Sequence, residues 1–186
     1  GLKIGEDTGY DSGSTLDFVY RNQTESQNPI GKIIDRQYLN AIGWRGIRVR
    51  KENIEQLLQK YAKTLIENNH PLRILDIASG HGRYILDAVQ KLPKLPDSIL
   101  LRDYSEINVK AGQQMIQERG LEHIAQFVQA DAFDTQSIAS IDPRPTLGVV
   151  SGLYELFSDN DLLRRSLNGL SQAIEKNGYL IYTGQI

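Results

Sequence analysis

The chain has 186 residues, of which 40% are hydrophobic and 24% charged, and its formal net charge is −2. This length and composition predict one globular domain with a full core, and the slightly acidic balance disfavours a nucleic-acid-binding protein. The sequence contains no cysteine, which excludes disulfides, zinc–thiolate sites and cysteine nucleophiles. No apolar run approaches the roughly 18 residues of a membrane-spanning helix. We therefore expect a cytoplasmic protein without a membrane span.

The first 50 residues are predicted to form an N-terminal helical cap on the substrate side of a larger core. Within the polar segment before Pro29, STLDFVYRN predicts a short helix capped by Ser14 or Thr15. The basic segment WRGIRVRK (44–51) has two interpretations that the sequence leaves open. It is either the solvated side of a helix or a contact for an anionic substrate or a lipid surface.

Residues 51–186 alternate between helical patterns and short apolar runs. The apolar runs cover residues 72–78, 98–104, 124–131, 146–154 and 178–184. Strand-like runs that alternate with helices predict an α/β fold, with a doubly wound, mostly parallel sheet of five strands.

A turn at the end of the first run carries the strongest functional signal. In RILDIASGHGRYIL (73–86), Asp76 ends the apolar run, and Gly80 and Gly82 precede a helical pattern. Glycines at this place allow the main chain to approach a ligand closely. The third glycine of a dinucleotide-binding motif is replaced by Ile85, which weakens an NAD-binding interpretation. A plain tight turn is the alternative.

Three acidic residues after successive strands indicate a different ligand. The carboxylate of Asp76 suits a cationic ammonium group, and Asp103 lies at the spacing of a carboxylate that binds ribose hydroxyls. Asp131, in the sequence FVQADAFD, is predicted to accept a hydrogen bond from the exocyclic amine of adenine. Ammonium, ribose and adenine amine together describe S-adenosylmethionine. The alternatives are a loop-orienting role for Asp76 and a solvated strand end for Asp103.

The segments LRILDIASGHGRY, LLRDYSE, FVQADAFD, GVVSGLYELFSDN and GYLIYTGQ resemble successive motifs of class I S-adenosylmethionine-dependent methyltransferases, over roughly residues 50–186. More specifically, DSGSTLDFVYRNQ with AIGWRGIRVRK is similar to the methyltransferase domain at the C-terminal end of bifunctional α/β-hydrolase–methyltransferase proteins. This resemblance implies a fused or missing upstream hydrolase domain. It also implies S-adenosylmethionine as cofactor and S-adenosylhomocysteine as product. No His, Asp and Glu residues stand at metal-ligand spacing in the sequence, so we expect no metal.

The resemblance implies a set of site residues at the ends of four strands. The expected cofactor-binding residues are Asp76, Ala78, Ser79, Gly80, Gly82, Asp103, Tyr104, Asp131, Ala132, Phe133 and Ser151, and the expected catalytic residues are Tyr154 and Glu155. Ala78 stands where the family has glycine, which is tolerable if the φ angle there is negative. The aromatic residues Tyr10, Phe18 and Tyr20 are expected to close over the cofactor.

The family sheet normally has seven strands, so the last two are predicted to lie beyond Ile186, unless the edge of the fifth strand is covered, for example in a homodimer. The chain starts at Gly1, and its only methionine is Met115, so we expect a processed chain or a piece of a longer protein.

The predicted function is methyl transfer to a small-molecule or lipid-type acceptor. The Asn/Asp-Pro-Pro-aromatic motif of methyltransferases that act on nucleobase amines is absent after the fourth strand, which makes a nucleic-acid substrate an unfavourable interpretation. Two alternatives stay open: a non-catalytic domain that binds S-adenosylmethionine or S-adenosylhomocysteine, and an NAD-binding Rossmann protein.

Overall fold

The computed structural model describes Gly9 and residues 12–184. The described α-helices are α1 (Gly13–Arg21), α2 (Pro29–Leu39), α3 (Ile42–Glu67), α4 (Arg83–Val89), α5 (Glu106–Glu118), α6 (Thr135–Ala139) and α7 (Asn160–Ala173). The strands are β1 (Arg73–Ile77), β2 (Ser98–Asp103), β3 (Ala125–Gln129), β4 (Leu147–Val150) and β5 (Tyr179–Tyr182), and a 3-10 helix covers Tyr154–Leu156. The chain divides into two compact units, Gly1–Asn53 and Ile54–Ile186.

The N-terminal unit has a small core of its own. Phe18 and Val19 of α1 are fully buried with Leu39 of α2, and the rings of Tyr38 and Trp44 pack there with their centroids 5.5 Å apart. Because Phe18 is buried in this core, the prediction that it closes over a cofactor was wrong. Tyr10 lies outside the described residues.

Helix α1 begins earlier than predicted. Its N-cap is Ser12, whose hydroxyl oxygen accepts the backbone N–H of Thr15 at 3.2 Å. Ser14 and Thr15 therefore lie inside the helix, and the prediction that one of them is the cap was wrong. Three hydroxyl residues close together in the sequence all suit an N-cap, and the sequence does not distinguish them. In the structure the Thr15 hydroxyl donates to the Gly9 carbonyl instead.

The second unit contains one five-stranded sheet, in the order β3-β2-β1-β4-β5, in which every neighbouring pair is parallel. This confirms the predicted doubly wound α/β fold. The strand order reverses between β1 and β4, so the carboxyl end of β1 lies at the position where open parallel sheets bind ligands. The loops after β1, β2, β3 and β4 all leave the sheet at that edge.

One face of the sheet builds the larger described core. Leu75 and Ile77 of β1 pack with Val150 of β4, and helices α6 and α7 cover them through Ile138 and Leu170. Strands β1 and β4 are buried along almost their whole length. Strands buried on both faces have continuous apolar sequences, which explains why the apolar runs revealed these two.

The fourth strand is shorter than the predicted run 146–154. It ends at Val150, because Gly152 adopts a positive φ of 76° and the chain then forms the 3-10 helix. Among the described residues, no helix is both long and apolar enough to cross a membrane.

Candidate functional site

The turn after β1 contains three residues in the left-handed conformation. The φ angles are 57° at Ala78, 58° at Gly80 and 73° at Gly82. The condition under which alanine is tolerable at position 78, a negative φ, is therefore not met. A left-handed conformation costs an L-residue with a Cβ atom roughly 1–2 kcal/mol, so the turn retains strain at Ala78 where a glycine would have none.

Ser79 ties this turn to the neighbouring strand. Its backbone N–H donates to the carbonyl of Arg102 at 3.0 Å, and its hydroxyl oxygen accepts the Arg102 N–H at 3.1 Å. The same hydroxyl lies 3.0 Å from the Asp76 carbonyl oxygen, which it reaches as a donor. Because Ser79 is buried, these bonds hold the turn in one position between β1 and β2.

Asp103, the last residue of β2, is part of the same arrangement. One carboxylate oxygen accepts the Gly80 N–H at 2.8 Å. The other accepts the Ser105 N–H and the Asn108 side-chain amide, both at 2.9 Å. The residue is 8% exposed, so the alternative of a solvated strand end was wrong. An ionised carboxylate has about four acceptor positions, and three are used within the protein.

Asp76 is fully buried at the end of β1. One carboxyl oxygen accepts the hydroxyl of Tyr84 at 2.6 Å, and the other oxygen, Oδ2, has no hydrogen-bond partner among the described residues. Burial raises the pKa of Asp76 to about 8, opposed by the Tyr84 hydrogen bond and by the nearby Ser79 hydroxyl, and helped by the charge of Asp103. A buried polar atom without a partner is rare in proteins, and a ligand with a cationic donor would satisfy it.

The loop after β3 brings further predicted residues to this edge. Asp131 is exposed, and its carboxylate accepts the Phe133 N–H at 2.8 Å. Phe133 is 9% exposed, and its ring meets that of Phe157 edge-on at 4.9 Å. Ala132 between them is half-buried. The loop therefore presents the exposed carboxylate of Asp131 two residues before the packed ring of Phe133.

Tyr104 and Ser151 follow β2 and β4 directly. The ring of Tyr104 is 77% exposed, whereas Ser151 is half-buried. Because all the strands are parallel, both residues lie at the same edge of the sheet as Asp76 and Asp103.

The two residues predicted to be catalytic have different environments. Tyr154 is 5% exposed and its hydroxyl donates to the Ser166 hydroxyl at 2.9 Å; burial raises the pKa of Tyr154. Glu155 is half-buried, and both of its carboxylate oxygens lie 3.2–3.3 Å from the donating hydroxyl of Thr183. That hydroxyl in turn accepts the Gly152 N–H at 2.8 Å. Of the two, only Glu155 combines a basic group with access to solvent.

Sequence reasoning missed the residues that hold the acidic groups in place. Tyr84, Asn108 and Thr183 contact Asp76, Asp103 and Glu155, respectively, and none of the three was predicted to bind the cofactor or to be catalytic. Asn108 lies three residues after Ser105, which caps α5, and this local spacing was a usable signal. The other two contacts depend on tertiary packing.

Arg102 was also missed, although a charge within an apolar run is a visible signal. It is 3% exposed and donates to the Ser137 hydroxyl at 2.6 Å. Burial lowers the pKa of Arg102, and the nearby Asp134 and Asp131 oppose that change. Within the described part of the chain, no group of acidic and histidine side chains is arranged to hold a metal ion.

A family model described as "Putative methyltransferase" matches residues 1–186. The curated sequence "Uncharacterized protein YnbC" of Escherichia coli (strain K12) is 51% identical over 185 residues, which cover 100% of this chain and 32% of YnbC. The chain thus spans about a third of the length of that relative.

Two crystal structures have a similar fold. An S-adenosylmethionine-dependent methyltransferase from Clostridium acetobutylicum matches with a TM-score of 0.52 and 18% identity, over 64% of this chain and 46% of the other. A "possible exported protein" from Bordetella parapertussis matches with a TM-score of 0.68 and 15% identity, over 92% and 53%. At these identities the likenesses concern the fold alone. Because the family model covers the whole sequence, the chain belongs to the "Putative methyltransferase" family, with the fold of class I S-adenosylmethionine-dependent methyltransferases.

Proposed function

We propose that the chain is an S-adenosylmethionine-dependent methyltransferase that acts on a small-molecule or lipid-type acceptor. The observation that carries this proposal is the unpartnered Oδ2 oxygen of Asp76, buried at the carboxyl end of the central strand. The ammonium group of S-adenosylmethionine would supply the missing charge-assisted hydrogen bond. A ligand cation also favours the ionised form of Asp76, which burial alone disfavours.

The other acidic residues fit the rest of the cofactor. The remaining acceptor position of Asp103 suits a ribose hydroxyl, and the exposed carboxylate of Asp131 suits the adenine amine. The exposed ring of Tyr104 offers an apolar surface beside them. The proposed site is completed by Ala78, Ser79, Gly80, Gly82, Ala132, Phe133 and Ser151.

S-adenosylmethionine, when bound, supplies a methyl group made reactive by its sulfonium sulfur. The protein must then hold the acceptor in line and exclude water, and such orientation contributes as much as roughly 7–11 kcal/mol in favourable cases. We assign Glu155 as the group that receives the acceptor's proton, because Thr183 orients its carboxylate. Tyr154 was predicted to be catalytic; we assign its hydroxyl, bonded to Ser166, a supporting role.

The NAD-binding alternative conflicts with the sequence of the turn. Ile85 is fully buried where the dinucleotide motif needs its third glycine. A non-catalytic domain that binds S-adenosylmethionine would have the same cofactor-binding site as an enzyme. Only a measurement of turnover distinguishes the two. The upstream hydrolase, the homodimer and the cytoplasmic location stay predictions.

Calorimetric titration with S-adenosylhomocysteine and with NAD tests the cofactor. We expect wild-type protein to bind S-adenosylhomocysteine and not NAD, and Asp76→Asn to lose that binding while it stays folded. Asp134→Asn removes a carboxylate from an exposed helix cap and is the matched control. Binding of NAD alone, or unchanged affinity of Asp76→Asn, would contradict the assignment.

Transfer of a radiolabelled methyl group tests the reaction and the acceptor class. A lipid extract and an aqueous small-molecule extract serve as separate acceptor pools, and label is counted in each. We expect Glu155→Gln to lower kcat without weakening the binding of S-adenosylhomocysteine. Glu175→Gln, which removes a surface partner of Arg73, should leave both kcat and this binding unchanged. Tight cofactor binding with no labelled product from either pool would favour the non-catalytic alternative.

A further inference from the structure

Helix α2 carries apolar side chains on its solvent side. Ile30, Ile33 and Ile34 are 72%, 61% and 48% exposed, and their i, i+3, i+4 spacing puts them on one side of the helix. We call these three residues the isoleucine stripe. The buried residues of α2 are instead Asp35 and Leu39. This inverts the usual amphipathic arrangement, so the stripe needs an explanation outside the core of the N-terminal unit.

The stripe lies in a strongly basic segment. Residues 29–51 contain six basic residues and one acidic residue, a net charge of +5, whereas the whole chain has a net charge of −2. The single acidic residue is Asp35, which is 5% exposed and accepts hydrogen bonds from Ser26 and the Glu25 N–H. Its carboxylate therefore lies on the buried side of the helix, away from the exposed cations.

The cations border the apolar side chains. Lys32 and Arg36 are exposed, and their i, i+4 spacing forms a second line along α2 next to the stripe. The first turns of α3 repeat this pattern, with Ile42 and Val49 at 89% and 54% exposure and the exposed Arg45 between them.

We propose that the isoleucine stripe and its flanking cations dock the N-terminal unit on the surface of an anionic lipid bilayer. A helix in the plane of a membrane interface buries an apolar side among acyl chains while its Lys and Arg residues contact anionic headgroups. This combination favours a bilayer over nucleic acid, which offers phosphates but no apolar layer for isoleucine. It also disfavours a second copy of the chain, because two surfaces of the same positive charge repel across a symmetric interface. The proposal is independent of the methyltransferase activity.

Cosedimentation of the 186-residue chain with vesicles tests the proposal. We expect binding to vesicles of equal parts phosphatidylglycerol and phosphatidylcholine, little binding to phosphatidylcholine alone, and loss of binding near 1 M salt, where the Debye length is only about 3 Å. The double variant Ile33→Ser/Ile34→Ser should bind at least roughly tenfold more weakly, since it removes two side chains that the acyl layer would bury. Gln37→Ser, an exposed polar position on the same helix, is its matched control and should bind like wild type.

The cations are tested by charge reversal. Lys32→Glu/Arg36→Glu should abolish binding to the anionic vesicles, while Lys60→Glu/Lys63→Glu, two exposed lysines of α3 in the other unit, should bind within a few-fold of wild type. Ile33→Trp should tighten binding, and its indole emission should shift to the blue on addition of vesicles. This variant keeps the test informative if a serine variant folds poorly.

Several outcomes would overturn the proposal. These are equal binding to neutral and anionic vesicles, unchanged binding of the stripe variant, and equal loss in both charge-reversal variants. If the wild type sediments as a dimer and the stripe variant as a monomer, the stripe is instead an interface between two copies of the chain. If the wild type binds a nucleic-acid duplex and the stripe and charge-reversal variants bind it more weakly, the surface is instead a nucleic-acid contact. Weaker S-adenosylhomocysteine binding by the stripe variant without vesicles would assign it to packing inside the protein.

Discussion

Replacement of Asp76 by asparagine should make the protein less stable in acid and more stable in mild base. Burial raises the pKa of the Asp76 carboxyl from 3.8 to about 8. Between these values the folded state therefore binds one proton that the unfolded state has released. The stability that the protonated carboxyl contributes is fully present below pH 3.8 and is lost as the pH rises towards 8.

The magnitude follows from the two pKa values and one lost contact. Each pH unit in this window costs the wild type about 1.4 kcal/mol of unfolding free energy, and asparagine, which does not ionise, has no such slope. Asparagine keeps an acceptor for Tyr84 but buries an amide without a partner, which costs about 1–3 kcal/mol. The two curves should therefore cross between roughly pH 4.5 and 6, and at pH 8 the variant should be the more stable protein.

Thermal denaturation at several pH values between 4.5 and 9, without ligand, measures this difference. The Tm difference should grow by roughly 3–6 °C per pH unit for a chain of this size and level off above pH 8. Asp134→Asn controls for the loss of one negative charge. A difference that does not change with pH, or a variant less stable at every pH, would show that Asp76 is ionised and partnered in the free protein, and the reasoning would fail.

Three further substitutions test the turn after β1 and the residues that pack around it. Asp103→Ala leaves three donors without their acceptor and should lower the stability by about 2–4 kcal/mol in urea denaturation. Asp131→Ala, which loses a single hydrogen bond, should cost far less, and equal losses would contradict this. Ala78→Gly should raise the stability by about 0.5–1 kcal/mol, because it relieves the positive φ, whereas a lower Tm would show no strain there. Gly112→Ala places a Cβ against the Phe127 ring with a steric clash and should cost about 1–3 kcal/mol, partly restored in a double-mutant cycle with Phe127→Leu; additive losses would rule out that contact.

The fold was predictable because its signal is local. The strands are short, and the three central ones, β1, β2 and β4, are largely buried, so they appear as apolar runs. Gly80 and Gly82 mark the turn after the first one. Parallel connections through helices then limit the topology to a doubly wound sheet. The end of β4 was misplaced because SGLY continues the apolar run although Gly152 turns the chain.

The positions of the acidic residues were also predictable, but their states were not. Asp76 and Asp103 lie at the carboxyl ends of β1 and β2, and Asp131 follows β3. Parallel strands bring such positions to one edge. The sequence does not show that Asp76 is completely buried, or that Asp103 accepts three internal hydrogen bonds. Those facts depend on residues distant in the chain.

The sequence alone therefore determined the fold class, the glycine turn and the identity of the acidic groups, because strand periodicity and turn chemistry are properties of neighbouring residues. Only the tertiary structure decided which groups are strained, buried or already bonded. The left-handed Ala78, the orphan oxygen of Asp76 and the exposed isoleucine stripe of α2 are examples. The physical reason is that strain, desolvation and exposure depend on how elements pack together, and no local pattern records that packing.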